Sequence, residues 1–131
     1  MEQALIAKLL ADGGISALVG NRVFPISRDQ ASALPAVTFG TVSNVPIYTN
    51  DGEAGIAEAR MQIDCWGASY PSAKLTAQAV KSALSAFFGT VEGVVFQYVL
   101  LDGERDSREG GSNAAEYQFR TQLDFRVFYE N

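Results

Sequence analysis

Residues 116–130, EYQFRTQLDFRVFYE, decide the fold. Tyr117, Phe119, Thr121, Leu123, Phe125, Val127 and Tyr129 alternate with Gln118, Arg120, Gln122, Asp124 and Arg126. A period of two sends successive side chains to opposite faces of an extended chain, so the stretch predicts a strand with one core face and one polar face. It exceeds the usual strand of about five or six residues, and so requires a long neighbour. Val94 to Leu101, rich in Val, Phe and Tyr, supplies a β-prone partner immediately upstream. The two predict a long C-terminal hairpin, with Asp102 to Ala114 (DGERDSREGGSNA) at its tip as a mobile loop.

Further upstream the period changes. Residues 70–88 place Leu75, Ala79, Val80, Ala83, Leu84 and Phe87 on one stripe, with Lys74, Gln78, Lys81, Ser82 and Ser85 opposite. Ser69 as cap, Pro71 in the first turn and Gly89 as terminator bound a helix there. Phe87 reads as core; Phe88 reads as either core or surface. Before the helix, Ala59, Met61, Ile63 and Cys65 alternate with Glu58, Arg60, Gln62 and Asp64, a strand over 57–66. Asn50-Asp51-Gly52 centres a turn over 49–55. Residues 35–44 are an earlier strand, and Pro46, which cannot donate to a ladder, marks a bulge or an edge. Arg22–Pro25 is a brief extended entry. Residues 2–11 form a short amphipathic helix stopped by Asp12-Gly13-Gly14, and a further helical turn follows, closed by Gly20. The elements predict one α+β domain over residues 1–131: a mostly antiparallel sheet with one long and one short helix on one face.

The chain has 131 residues, enough to bury about two-thirds of its unfolded surface without a disulfide or metal. Its 47% hydrophobic and 19% charged content is that of a globular protein. One cysteine cannot form an internal disulfide, which suits a reducing compartment such as the cytoplasm. No apolar run approaches the roughly 18 residues of a membrane span, and the first ten residues are too short and mixed for a signal peptide. The net charge of −5 opposes free nucleic-acid binding, although an acidic wall suits a passage through which DNA slides.

No catalytic constellation emerges. The chain has no histidine, which removes Ser-His-Asp and Cys-His arrangements. Cys65, on the apolar side of its strand, reads as a small buried hydrophobe. Asp102, Glu104 and Asp106 stand at alternate positions as in a calcium loop, but Ser107 and Asn113 occupy the places of its glycine and bidentate glutamate. Gly110-Gly111 lacks the Lys-Ser/Thr of a phosphate loop. No cofactor or metal is expected. The candidate partner-binding residues are Trp66, Asp102, Glu104, Arg105, Asp106, Arg108 and Glu109. Trp66 reads either as a buried strand end or as a contact between subunits, where aromatic residues are enriched. The six charged residues read as rim ion pairs that form when the loop orders against a partner.

The amino-terminal helix followed by Leu18-Val19-Gly20-Asn21-Arg22-Val23-Phe24-Pro25, the proline-led strand Leu34-Pro35-Ala36-Val37-Thr38-Phe39, and Met61-Gln62-Ile63-Asp64-Cys65-Trp66 before a helix rich in alanine and leucine resemble one family. So does the closing alternating strand. It is that of the tail-completion, or tail-terminator, proteins of long-tailed phages and prophages. The stretch 102–114 is longer and more charged than that pattern. The resemblance implies a structural protein without catalysis: a homo-oligomer, in that family a hexameric ring, at the head-proximal end of the tail tube. It would stop tube growth, contact the tail tube protein and a head-closure or connector protein, and let DNA pass through its lumen. It would assemble in the host cytoplasm and reside at the head–tail junction of the virion. Another neck connector, of head-closure or adaptor type, satisfies the same pattern. A tube-forming protein and a small ligand-binding domain or enzyme are the other readings, the last requiring a deep polar pocket.

Overall fold

A computed structural model describes residues 1–26, 33–110 and 118–131. Helix α1 (Glu2–Ala11) and helix α2 (Gly13–Val19) are joined by Asp12, whose carboxylate accepts the Ile15 N–H at 3.0 Å and so caps α2. Strands β1 (Val23–Pro25), β2 (Ala36–Thr49) and β3 (Gly52–Gly67) follow, then helix α3 (Tyr70–Leu84). Strands β4 (Gly89–Val91), β5 (Val94–Glu109) and β6 (Gln118–Glu130) complete the described chain. The six strands form one mixed sheet in the order β1-β2-β3-β6-β5-β4. Among the described residues β1 and β2 pair parallel and the other pairings are antiparallel.

The core lies between the helices and one face of this sheet. Met61, Ile63 and Cys65 from β3, and Leu123, Phe125 and Val127 from β6, meet Val80 and Leu84 of α3, Leu5 and Leu9 of α1, and Ile15 and Val19 of α2. The alternation in both central strands thus reaches the core as expected. The α3 stripe keeps Val80, Ala83 and Leu84 but shifts in its first half. Its buried positions are Ala73, Thr76, Ala77, Val80, Ala83 and Leu84, and Leu75 is 55% exposed. With 3.6 residues per turn, Leu75 stands on the side opposite Ala73 and Ala77. Ser69 caps the helix by accepting the Ser72 N–H.

The helix is also shorter than the expected 70–88. Ser85 is extended and Ala86 has φ +62°, after which the chain joins the sheet: the Ala86 N–H donates to the Val99 carbonyl and the Val99 N–H to that of Phe87. Phe87 packs against the core under the Lys8 ammonium, which lies 4.0 Å from its ring centroid, while Phe88 is exposed. The further helical turn expected before Gly20 is helix α2, and the small strand β4 is an addition to the expected element order.

Two strand pairs are much longer than their apolar alternation. β2 and β3 stay paired out to Thr49 opposite Gly52, so the turn shrinks to Asn50 and Asp51. A register shift between Pro46 and Tyr48 is the bulge that Pro46 announced. β5 continues to Glu109, paired with β6 from Gly103 opposite Asp124 to Glu109 opposite Gln118. Residues 102–109 are therefore strand, not the expected mobile loop. Their polar side chains find cross-strand and helix partners, and such pairs stabilise a ladder regardless of composition. The remainder of that expected loop, 111–114, lies outside the described residues.

Candidate functional site

The extension of β5 carries six of the seven candidate residues and divides them between the two sheet faces. Asp102 lies on the uncovered face, where it pairs with Arg60 at 3.2 Å, and a register shift between Leu101 and Gly103 inverts the alternation after it. Glu104 and Asp106 turn toward α3. Lys81 reaches Glu104 at 2.7 Å, Lys74 bridges Glu104 and Asp106, and Thr121 donates to Asp106 at 2.8 Å. Hydrogen bonds from Lys74 and then Lys81 hold the Glu104 carboxyl below the usual carboxylate range. At Asp106 partial burial pushes upward, but bonds from Lys74 and Thr121 outweigh it and the net direction is down. Arg105, back on the uncovered face, donates to Gln122 at 3.2 Å and lies 3.7 Å from Asp124. Arg120 of β6 pairs with Glu109 at 3.3 Å and donates to Ser107 at 3.1 Å. Arg108 is exposed on the helix side.

Asp102, Glu104 and Asp106 therefore do not converge, and among the described residues no group of three or more His, Cys, Asp or Glu is placed to hold a metal ion. Their carboxylates are engaged by cations of the same chain. The structure brings Arg105, Ser107, Glu109, Gln122 and Arg120 together as one charged surface and separates Glu104 and Asp106 from it by the thickness of the sheet.

Trp66 stands at the inner end of this surface, half-buried. Its indole N–H donates to the Thr38 hydroxyl at 3.0 Å, and the Arg120 guanidinium lies 5.3 Å from its ring. Both readings of Trp66 retain a basis: one edge is tied into the sheet, and the ring sits within the charged surface. Gly67 follows because nothing larger fits; a Cβ there would lie 2.5 Å from the Ala73 backbone nitrogen.

The uncovered face continues across β6 and β3. Arg126 donates to Glu58 at 2.8 Å, and Gln62 donates to Asp64. Asp64 is only 8% exposed, and burial raises its carboxyl above the usual range. Beside it a shallow cleft is lined by Thr38, Gly40, Val42, Gln62 and Ile26. On the covered face, burial raises the Cys65 thiol far from the range in which a nucleophilic thiolate forms.

Sequence reasoning missed a second surface, the far half of the β2–β3 hairpin. Val42, Val45, Ile47 and Tyr48 are all exposed there, and residues 42–57 contain Asp51 and Glu53 but no lysine or arginine. The signal was present in Val-Pro-Ile-Tyr, an apolar run whose partner strand begins directly after a two-residue turn.

The sequence profile of the family described as Tail completion protein gp17 matches residues 3–130. A chain of the virion of a native gene transfer agent (GTA) particle superposes with a TM-score of 0.81 at 22% identity, covering 100% of this chain and 95% of that one. Another solved chain gives a TM-score of 0.52 at 15% identity, with 97% and 96% covered. These likenesses establish a shared fold. No curated protein matches.

Proposed function

This chain belongs to the tail completion protein gp17 family and is a structural protein of a phage tail, and from that premise we propose that it is the tail terminator. In this reading, copies close into a ring, in this family a hexamer, on the head-proximal end of the tail tube. The ring halts tube polymerisation and presents the surface to which the head or its connector docks. The family match over residues 3–130 carries the proposal. The geometry agrees with it: the charged groups lie on open sheet surface instead of converging in a deep pocket, an arrangement suited to macromolecular contact.

The exposed part of the charged surface, with Arg105, Glu109 and the ring of Trp66, is the proposed partner-facing rim, and Arg108 joins it from the helix side of β5. Glu104 and Asp106 hold β5 to α3 and support it from behind. Rim charges of this kind govern encounter and partner choice more than affinity. Six copies at −5 each give a formal ring charge of −30, and a wall of that sign repels passing DNA and keeps the lumen from binding it.

The test is a phage or prophage lysate from which this gene is deleted, viewed by electron microscopy. The terminator reading predicts headless tails of uncontrolled length. Tails of normal length accompanied by unjoined heads would instead assign the chain to head closure or to an adaptor.

A further inference from the structure

The two long hairpins leave the sheet at opposite ends. Residues 46–55 of the β2–β3 hairpin run past the end of β6, since Ile56 already pairs with Glu130. The β5–β6 hairpin leaves from the other end, where Gly67 pairs with Phe119. Each has an outer edge that its short neighbour barely covers. β1 pairs with β2 only at Val37 to Phe39, and β4 with β5 only at Val94 to Phe96, with Ala86 and Phe87 adding bonds at Val99. Among the described residues, no strand pairs with the outer edge of β2 from Gly40 to Thr49, or with that of β5 from Leu101 to Glu109. Long exposed edges are templates for strand addition.

Resting on the ring reading above, we propose that these edges are the two halves of one heterologous seam: the β2 edge of each copy adds to the β5 edge of the next. Three observations select a second copy as the occupant. First, β2 and β5 run in opposite directions, because three antiparallel pairings separate them. Rotation about an axis roughly along the strands therefore presents them to each other as an antiparallel pair, and such a heterologous contact closes into a ring where the rotation divides a full turn. Second, the free stretches are staggered along the strands, β2 toward its tip and β5 toward the opposite tip. Closed sheets whose strands tilt by about 35–45° require this stagger. Third, Val45 and Tyr48 stand exposed along the free part of β2, apolar side chains that an added neighbouring strand would cover. Pro46 has no N–H and the bulges interrupt the ladder, so the seam is short, which restrains indefinite edge-to-edge growth.

The test uses completed tails assembled from mixed populations of full-length chain. One population carries Tyr48→Cys and the other Arg108→Cys, both with Cys65→Ala, and a short bis-maleimide is the bridge. We expect covalent dimers at least tenfold more abundant from the mixture than from either population alone. In parallel, Val45→Asp/Tyr48→Asp, at positions 57% and 67% exposed, should keep the melting temperature of the unaltered chain while lowering completed tails at least tenfold. Equal bridging within a single population, or normal completion by the aspartate variant, would overturn the seam and leave the terminator reading standing. Absence of the unaltered protein from the head-proximal tail end would overturn that reading and the seam with it.

Discussion

Lys81 on α3 donates to Glu104 on β5 at 2.7 Å, closing a contact across 23 residues of sequence. This contact, with that of Lys74, explains why a stretch composed like a loop is a strand. Hydrogen bonds from both lysines depress the Glu104 carboxyl. A depressed carboxyl stabilises the fold above its unfolded pKa and ceases to do so as pH falls through its folded pKa. Glu104→Gln should therefore lower stability by about 1 kcal/mol near neutrality, the pair being partly solvated. The deficit should vanish on acidification through the carboxylate range. Urea unfolding of both proteins across that range checks it; a deficit unchanged in acid would contradict the assignment.

Asp64 has the opposite sign. Burial raises its carboxyl, so its contribution favours the folded state below the ordinary carboxylate pKa and is lost as pH rises through the raised value. Asp64→Asn keeps an acceptor for the Gln62 amide and removes a buried charge. Thermal melts should show the variant at least as stable as the parent at neutral pH, with the advantage fading in acid. A melting temperature several degrees lower at neutral pH would show that the charge itself is needed.

Cys65 is fully buried and its thiol is held protonated by burial. Maleimide or disulfide reagents should leave it untouched in the native protein and label it fully in urea. Cys65→Ser, which puts a hydroxyl among Met61, Ile63 and Val80 and their neighbours, should cost about 1–3 kcal/mol. Rapid native labelling would show that β3 opens readily.

Gly67 ends β3 where the backbone of α3 comes closest. A Cβ there would meet the Ala73 nitrogen at 2.5 Å and the Ser69 carbonyl oxygen at 3.0 Å. Because both are backbone atoms, Gly67→Ala should cost about 1–3 kcal/mol or more by forcing helix and strand apart. Gly13→Ala, with nothing near its Cβ, is the matched control and should be close to neutral. Equal melting temperatures for the two variants would refute the packing account.

The central architecture was legible because two strands and one helix carry uninterrupted apolar periodicity: β6, the near half of β3 and α3 each state their buried face in sequence. Cys65 as a small core residue was legible for the same reason. The far halves of both hairpins were not. In Asp102–Glu109 the stabilising partners, Lys74, Lys81 and Arg120, are distant in sequence, so composition alone reads as solvent. In Val45–Gly55 the polar and glycine residues of a long ribbon were indistinguishable from a long turn. Leu75 misled because one apolar side chain off the stripe reads as part of it; the structure leaves it in solvent. The candidate charges were found, but their division between two faces depends on a register shift at Leu101 and Gly103 that no pattern announces.

The most direct measurement is made on polymerising tail tubes. Purified full-length protein is added to growing tubes of the tail tube protein, and tube length and end occupancy are followed by electron microscopy. The account predicts that elongation stops at the head-proximal end, with one ring of this protein per tube and lengths frozen at the moment of addition. Tubes that continue to lengthen with that end occupied, or that incorporate the protein along their length, would contradict it.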